Sequence, residues 1–300
     1  MCYFNGVKVS DKAELIRLKQ IEKFIAQNRD ILNCSLNEGP LYNQPYPVIK
    51  ANEEGTIDIV RMEWGLIPNQ NKWPFLRTRE QVTKWRMGYT DEKGYNRPIT
   101  TLNAVADTLF INEKGKVSMY ADAAQNGRCL VPSTGFWEWR HFKQIGKSGK
   151  DLKTPIAFPY HVVVKGKIDE PYYLAGIYNE WTDETTGEVF ETFSIPTTGG
   201  NELMNWVHNK KRRMPTILTE DEAFEWLYGK LGKDDIIDLA RRQFPAGQMD
   251  AWAVDKKFKE VPDPRAKANY DFLPEIGDDR PLTYEEVQML ESGPGQGTLF

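Results

Sequence analysis

Proline and glycine divide the central part of the chain into short apolar segments, which excludes long helices there. Between Leu41 and Phe142 the apolar runs are a few residues long, as in Ile57 to Leu66 and Gly127 to Pro132. Similar runs follow at Ala157 to Val164, Tyr172 to Tyr178 and Phe190 to Thr197. Such runs, bounded by turn residues, are typical of β-strands. The sequence therefore predicts a strand-rich core.

Helical patterns flank this core. Residues 3–9 read as a first strand, and a helix then begins at Asp11 with Leu15, Leu18, Ile21 and Ile25 at helical spacing. Further helices are predicted at residues 201–207, 220–228 and 234–243, the second behind a capping box of Thr219 and Glu222. The predicted class is α+β, with a mixed barrel-like or sandwich core and flanking helices.

The composition changes near the C-terminus, where Pro, Asp, Gly and Glu dominate beyond Val261. We therefore predict one catalytic domain over residues 1–262 and a partly flexible tail over residues 263–300. A capping box of Thr283 and Glu286 predicts one short helix within that tail.

Composition also limits the function classes. The chain lacks an apolar run of about 18 residues and a secretory leader, which predicts a cytoplasmic protein without a membrane partner. Its three cysteines form neither a disulfide framework nor a metal-binding spacing, so we expect no metal and no cofactor. The net charge of −4 means that any site for a polyanion is local.

Cys2 is the most informative single residue, because a small side chain at position 2 favours removal of Met1. The new N-terminus would carry an amine of pKa about 7.7 to 8.0 and a thiol of pKa about 8.5 on one residue. Such an aminothiol condenses with aldehydes to form a five-membered ring. The alternative is an ordinary small apolar residue in a first strand.

Two other segments carry candidate acid–base groups. Glu138 stands between aromatic residues in Gly-Phe-Trp-Glu-Trp, a setting that raises a carboxyl pKa and suits it to proton transfer. His208 precedes Lys210, Lys211, Arg212 and Arg213, which can neutralise phosphates. The alternatives are an edge-strand glutamate facing water, and a structural histidine beside a solvated charged loop.

Polar and aromatic residues offer weaker signals. Asn103 has an amide that can hold an amine by donating and accepting hydrogen bonds, although it also suits a strand end. Trp64 and Trp73 offer stacking surface to unpaired bases, and core packing is the alternative for at least one of them.

In this order, the segments resemble the SOS-response-associated peptidase family, whose members shield abasic sites in single-stranded DNA by covalent attachment. The resemblance covers residues 1 to about 220. It rests on Met1-Cys2, Tyr42-Asn43, Trp64 to Pro68, Asn103 to Thr108, Arg128 to Pro132, Gly135 to Trp139, Thr197-Thr198 and His208 to Pro215.

The resemblance implies a cleft that brings together Cys2, Asn103, Glu138 and His208. In this cleft Cys2 would form a thiazolidine with the sugar aldehyde of an abasic site. By position, Asn103 orients the amine, Glu138 shuttles protons during sugar opening, and His208 assists ring opening and reversal. In the family, self-processing that removes Met1 accounts for the peptidase name. Binding to DNA would place the protein at the nucleoid. The alternatives are an N-terminal-nucleophile cysteine amidase and a noncatalytic single-stranded DNA-binding module.

Two positions depart from the family pattern. Phe4 and Val105 stand where the family commonly has arginines, so the electrostatic part of DNA binding is weaker. The expected DNA contacts are therefore Trp73, Arg128, Lys210, Lys211, Arg212 and Arg213, with Arg140 as a further cation.

The last five residues suggest a protein partner. They resemble the short peptides that dock on bacterial sliding clamps, with Gln296, Leu299 and Phe300 as anchors, and a disordered end is the alternative.

Overall fold

The computed structural model describes residues 3–8, 32–39, 44–144, 146, 155–278, 282, 283, 285–287 and 289. Met1, Cys2, the helix predicted from Asp11 and the C-terminal peptide around Leu299 lie outside the described residues. Within the described part, no helix is long and apolar enough to cross a membrane.

Strands outnumber helices throughout the described chain. The strands are β1 (Phe4–Lys8), β2 (Asn33–Glu38), β3 (Tyr46–Ala51), β4 (Ile57–Trp64), β5 (Tyr89–Thr90), β6 (Asn96–Arg97), β7 (Asn103–Val105), β8 (Arg128–Ser133), β9 (Gly135–Phe142), β10 (Ile156–Val164), β11 (Tyr172–Thr182), β12 (Val189–Gly199), β13 (Arg213–Pro215), β14 (Ile217–Leu218) and β15 (Met249–Ala253). The helices are α1 (Arg79–Met87), α2 (Ala121–Asn126), α3 (Glu202–Val207), α4 (Glu220–Tyr228) and α5 (Lys233–Arg241).

Five strands close into a barrel. Strand β12 pairs with both β4 and β11, and the path β4-β3-β8-β11 completes the ring. The short strands β7 and β13 pair with the C-terminal part of β12, and β14 pairs with β11. The α+β class with a barrel-like core is therefore confirmed, since ring closure leaves the central strands without a free edge.

A second sheet carries the N-terminal strand. Its order is β15-β10-β9-β1-β2, and every neighbouring pair is antiparallel. Only Thr134 separates β8 of the barrel from β9 of this sheet, so the chain passes from one sheet to the other at that point. The main apolar core contains side chains from both sheets, including Trp64, Phe136 and Phe158.

Local sequence signals account for the helix ends. The capping box of Thr219 and Glu222 is present at the start of α4, and that of Thr283 and Glu286 is present as well. Asn201 caps α3 by accepting a hydrogen bond from the Met204 amide at 2.9 Å. These short polar side chains satisfy amides that have no partner within the helix.

Ordered packing continues beyond residue 262. The indoles of Trp137 and Trp252 donate to the carbonyls of Pro264 and Arg265 at 3.1 and 2.7 Å. The buried guanidinium of Arg140 donates to the carbonyl of Pro274 at 2.9 Å. The first part of the predicted tail therefore packs on the five-stranded sheet and belongs to the folded body.

Candidate active site

Glu138 lies in the middle of β9 with its side chain almost completely buried. Its residue is 2% exposed, and Phe136 and Arg140, which share its face of the strand, are buried too. Burial raises the pKa of the Glu138 carboxyl from its ordinary 4.5 to about 7. A carboxyl with this pKa is present in both protonation states near neutral pH, which suits it to give and take protons.

His208 faces Glu138 from the end of α3. Its Nε2 lies 3.7 Å from Oε2 of Glu138, and its Nδ1 bonds the carbonyl oxygen of Arg213 at 2.9 Å. A carbonyl accepts only, so Nδ1 carries the proton and Nε2 presents its lone pair toward Glu138. Burial holds the pKa of His208 well below its usual value, against the hydrogen bond with Arg213, and the charge of Lys211 acts in the same sense as burial. The imidazole is thus a neutral base beside a carboxyl group.

Tyr3 places the start of β1 beside this pair. Phe4 pairs with Trp137 of β9, and the Tyr3 carbonyl accepts a bond from the Gly39 amide at 3.0 Å. Burial raises the pKa of the Tyr3 phenol, against a hydrogen bond with Thr100, and the charge of Glu138 raises it further. Tyr3, which the sequence reasoning did not select, therefore lies within the electrostatic reach of Glu138.

Asn103 lies on β7, on the opposite side of β12 from β13. Its strand pairs in parallel with β12, where Asn103 is opposite Ile195, and its carbonyl accepts from the Tyr120 hydroxyl at 3.2 Å. The strand that follows the His208 turn, β13, pairs with the other edge of β12. The described contacts thus join Glu138 to His208 directly and connect Asn103 to them through β12.

The cations after His208 have unequal surroundings. Lys211 and Arg212 are exposed, whereas Lys210 and Arg213 are half-buried. Burial lowers the pKa of Arg213, and the carboxylates of Asp107 and Glu113 act on it in the opposite sense. Lys211 and Arg212 therefore offer the most accessible positive charges of this loop.

Two arginines expected to contact DNA have structural roles instead. The Arg128 guanidinium donates to the carbonyls of Gln125, Trp226 and Gly229 at 3.1, 2.8 and 2.7 Å, which ties β8 to the ends of α2 and α4. Arg140 is fully buried and also donates to the Tyr160 hydroxyl at 2.8 Å. Because these donors bond to carbonyl and hydroxyl oxygens within the fold, Arg128 and Arg140 are less available to phosphates than the exposed cations after His208.

The two tryptophans considered for base stacking differ in burial. Trp64 is buried, lies parallel to Phe193 with ring centroids 6.1 Å apart, and donates to the Leu102 carbonyl. Trp73 is partly buried and meets the ring of Phe75, which is 52% exposed, edge to face. Trp64 is therefore a core residue, while Trp73 and Phe75 form an aromatic surface.

Phe4 does not face outward in the manner of an arginine. It is buried against Trp139 and Phe258, with ring centroids 5.3 and 5.4 Å away. Lys259 lies over the Phe4 ring at 5.6 Å and pairs with Glu38. An aromatic cluster thus anchors β1 at this position.

The described residues contain no cluster of three or more His, Cys, Asp or Glu that could hold a metal ion. What the arrangement offers is a buried proton donor and acceptor pair next to the strand that follows Cys2, with exposed cations at its rim. Such a site suits proton transfer to an oxygen leaving group and attraction of an anionic substrate.

Comparison with known proteins identifies the family. Residues 8–261 match the family model described as SOS response associated peptidase (SRAP). The chain belongs to this family. The matched range includes the positions of Asn103, Glu138 and His208.

Relatives within the SRAP family are similar over most of the chain. The abasic site processing protein YoqW of Bacillus subtilis is 30% identical over 247 residues, covering 82% of this chain and 88% of that protein. The abasic site processing protein HMCES of Xenopus tropicalis is 24% identical and covers 68% of this chain and 57% of its own length. A crystal structure of a protein from Bacteroides thetaiotaomicron superposes with a TM-score of 0.62 at 28% identity, covering 89% of this chain and all of that one.

Proposed function

We propose that this SRAP-family protein forms a covalent link with abasic sites in single-stranded DNA through Cys2, once Met1 has been removed. The Cys2 amine condenses with the aldehyde of the ring-opened sugar and releases one water. The thiol then adds to the imine carbon, its proton passes to the nitrogen, and a thiazolidine closes. The carbon keeps the oxidation level of the aldehyde, so the reaction needs neither oxidant nor reductant. The product shields the lesion.

The observation that carries this proposal is the buried pair of Glu138 and His208. Opening the sugar and expelling water each require a proton for a departing oxygen, and a carboxyl of pKa about 7 supplies one at neutral pH. The neutral Nε2 of His208, 3.7 Å from the carboxyl, receives a proton when the reaction runs in reverse. The names of the relatives support the same substrate.

Chain connectivity supports Cys2 as the nucleophile. Tyr3 follows it directly, and consecutive Cα atoms lie about 3.8 Å apart. The charge of Glu138 acts on the Tyr3 phenol, so the residue that follows Cys2 in the chain lies in the electrostatic environment of the proton-transfer pair. We assign Asn103 the task of orienting the amine, in keeping with the family pattern.

DNA binding is assigned to the rim of the site. Lys211 and Arg212 are exposed and Lys210 and Arg213 half-buried, and together they attract the phosphates on either side of the lesion. Trp73, with its neighbour Phe75, offers a ring to an unpaired base, since every base has a face that stacks.

The test uses intact mass spectrometry and a single-stranded oligonucleotide with one abasic site. The purified protein is expected to lack the mass of Met1 and to gain the mass of the oligonucleotide less one water. Cys2→Ala should give no adduct that survives denaturation without a reducing agent, whereas Cys34→Ala, which removes a different thiol, should react like the parent. A stable adduct of equal yield with Cys2→Ala would refute the proposal.

The same preparation separates the alternatives. A cysteine amidase would turn over a peptide library and form no DNA adduct. A noncatalytic binding module would retain intact strands equally well with Cys2→Ala and form no adduct with either protein.

A further inference from the structure

Asn209 makes a paired contact with the backbone of β9. Its side-chain oxygen accepts from the His141 amide at 2.9 Å, and its side-chain nitrogen donates to the His141 carbonyl at 2.8 Å. The residue is 3% exposed, so water does not compete for these bonds. A carboxamide has the same donor and acceptor as a peptide group, and Asn209 therefore pairs with β9 as one residue of a neighbouring strand would.

The position of this contact follows from the edge of β9. On one side, β10 pairs with β9 from Phe136 to Phe142, whereas on the other side β1 pairs with it only from Gly135 to Trp137. Beyond Trp137 the backbone groups on the second edge need other partners, because buried amides and carbonyls are costly when unpaired. Asn209 supplies them at His141, three residues along the strand from Glu138.

The turn that carries Asn209 also carries His208. The His208 carbonyl accepts from the amides of Lys211 and Arg212 at 3.2 and 2.7 Å, which closes a tight turn after α3. On the other side of the ring, Nδ1 is held by the Arg213 carbonyl. The bonds to His141 join this turn to the strand that bears Glu138.

We propose that Asn209 is a positioning residue, which sets the separation between His208 and Glu138 by bonding the His208 turn to β9. The Asn209 amide bonds the α3 turn to β9, and the imidazole and carboxyl groups extend from these two elements. Without the amide the turn can move away from β9, and water can then enter the space between the His208 imidazole and the Glu138 carboxyl.

The first measurement does not depend on any reaction. The chain has three histidines, so imidazole NMR signals are few and a His208→Gln variant assigns that of His208. In the parent protein the His208 ring should stay neutral at the ordinary imidazole midpoint of about 6.5, because burial holds its pKa well below that value. In Asn209→Ala it should titrate with a midpoint that moves up toward the ordinary value of about 6.5, because the ring gains access to water.

The second measurement rests on the proposed function. The single-turnover rate of adduct formation should fall about tenfold in Asn209→Ala, through loss of aligned proton transfer. Its pH profile should change shape as His208 begins to titrate. If the parent forms no adduct, the proposed function fails while the NMR titration still decides the role of Asn209.

Asn201→Ala is the matched control. Asn201 is also a buried asparagine, at the other end of α3. It caps that helix and donates to the Phe244 carbonyl, whereas the bonds to β9 are made by Asn209. It should lose stability without altering the His208 titration. Asn209→Leu keeps the side-chain size should the alanine variant not fold, and it removes both hydrogen bonds to His141 without adding a charge beside His208. A His208 midpoint that stays well below its ordinary value in folded Asn209→Leu or Asn209→Ala overturns the proposal, as does an equal shift in Asn201→Ala.

Discussion

Replacing Glu138 with glutamine should make the protein more stable at high pH. The carboxyl has a pKa of about 7 in the folded protein and an ordinary value of 4.5, so the folded state holds its proton more tightly than the unfolded state. Between these two values the folded protein binds more protons, and its stability falls as the pH rises through that window. Above pH 7 the charged carboxylate costs the folded state about 3 kcal/mol.

Glu138→Gln removes this cost, since the amide has nearly the same shape and does not ionise. The stability advantage of the variant over the parent should grow by about 2 to 3 kcal/mol from pH 5 to pH 8. Urea unfolding followed by the fluorescence of the nine tryptophans measures this difference at each pH. Burial also lowers the pKa of His161, to about 3, but this effect is common to both proteins and cancels.

Glu260→Gln is the control for loss of one negative charge, because that side chain is 72% exposed. The reasoning is refuted if the difference between Glu138→Gln and the parent stays constant across this pH range. It is also refuted if the parent gains stability relative to the variant as the pH rises, because the carboxylate would then be stabilised inside the fold.

Two further substitutions test the packing around the site. Gly135→Ala should destabilise the protein by more than about 2 kcal/mol, because the added Cβ would lie 2.0 Å from Nε2 of the buried His161; a change below 0.5 kcal/mol in urea unfolding would contradict this. Arg212→Gly should stabilise the fold by about 1 kcal/mol, because Arg212 has a φ of +49° that glycine adopts freely. The same substitution should weaken DNA binding and reduce the salt dependence of that binding. Thermal melts and binding titrations at two salt concentrations check both effects, and an unchanged salt dependence would exclude Arg212 as a phosphate contact.

Local patterns in the sequence were sufficient for several of the longer elements of the fold. Proline and glycine spacing predicted strands β4, β8, β10, β11 and β12, and the capping box of Thr219 and Glu222 predicted the start of α4, as the structure confirms. These signals depend on residues close in the chain, so they can be read without knowledge of the fold. The pairing of β12 with β4, which closes the ring, depends on contacts distant in sequence, and no local pattern predicts it.

The cations illustrate the limit of reading charge from sequence. Arg128, Arg140 and Lys211 are all cationic residues in the sequence, and each was expected to contribute to a positive patch. In the structure, the guanidinium groups of Arg128 and Arg140 donate to carbonyl oxygens, whereas Lys211 is exposed beside His208. Which donors remain available depends on what packs around them, and that is a tertiary property.

The sequence by itself determined the family and the strand-rich class, and it proposed Glu138 and His208 as candidate acid–base groups, since side-chain chemistry and segment order can be read from it. Only the tertiary structure decided that these two groups meet at 3.7 Å, that burial shifts their pKa values in opposite directions, and that Asn209 ties the His208 turn to β9. The physical reason is that distance and desolvation arise where segments 70 residues apart pack together, whereas propensity arises between neighbours in the chain.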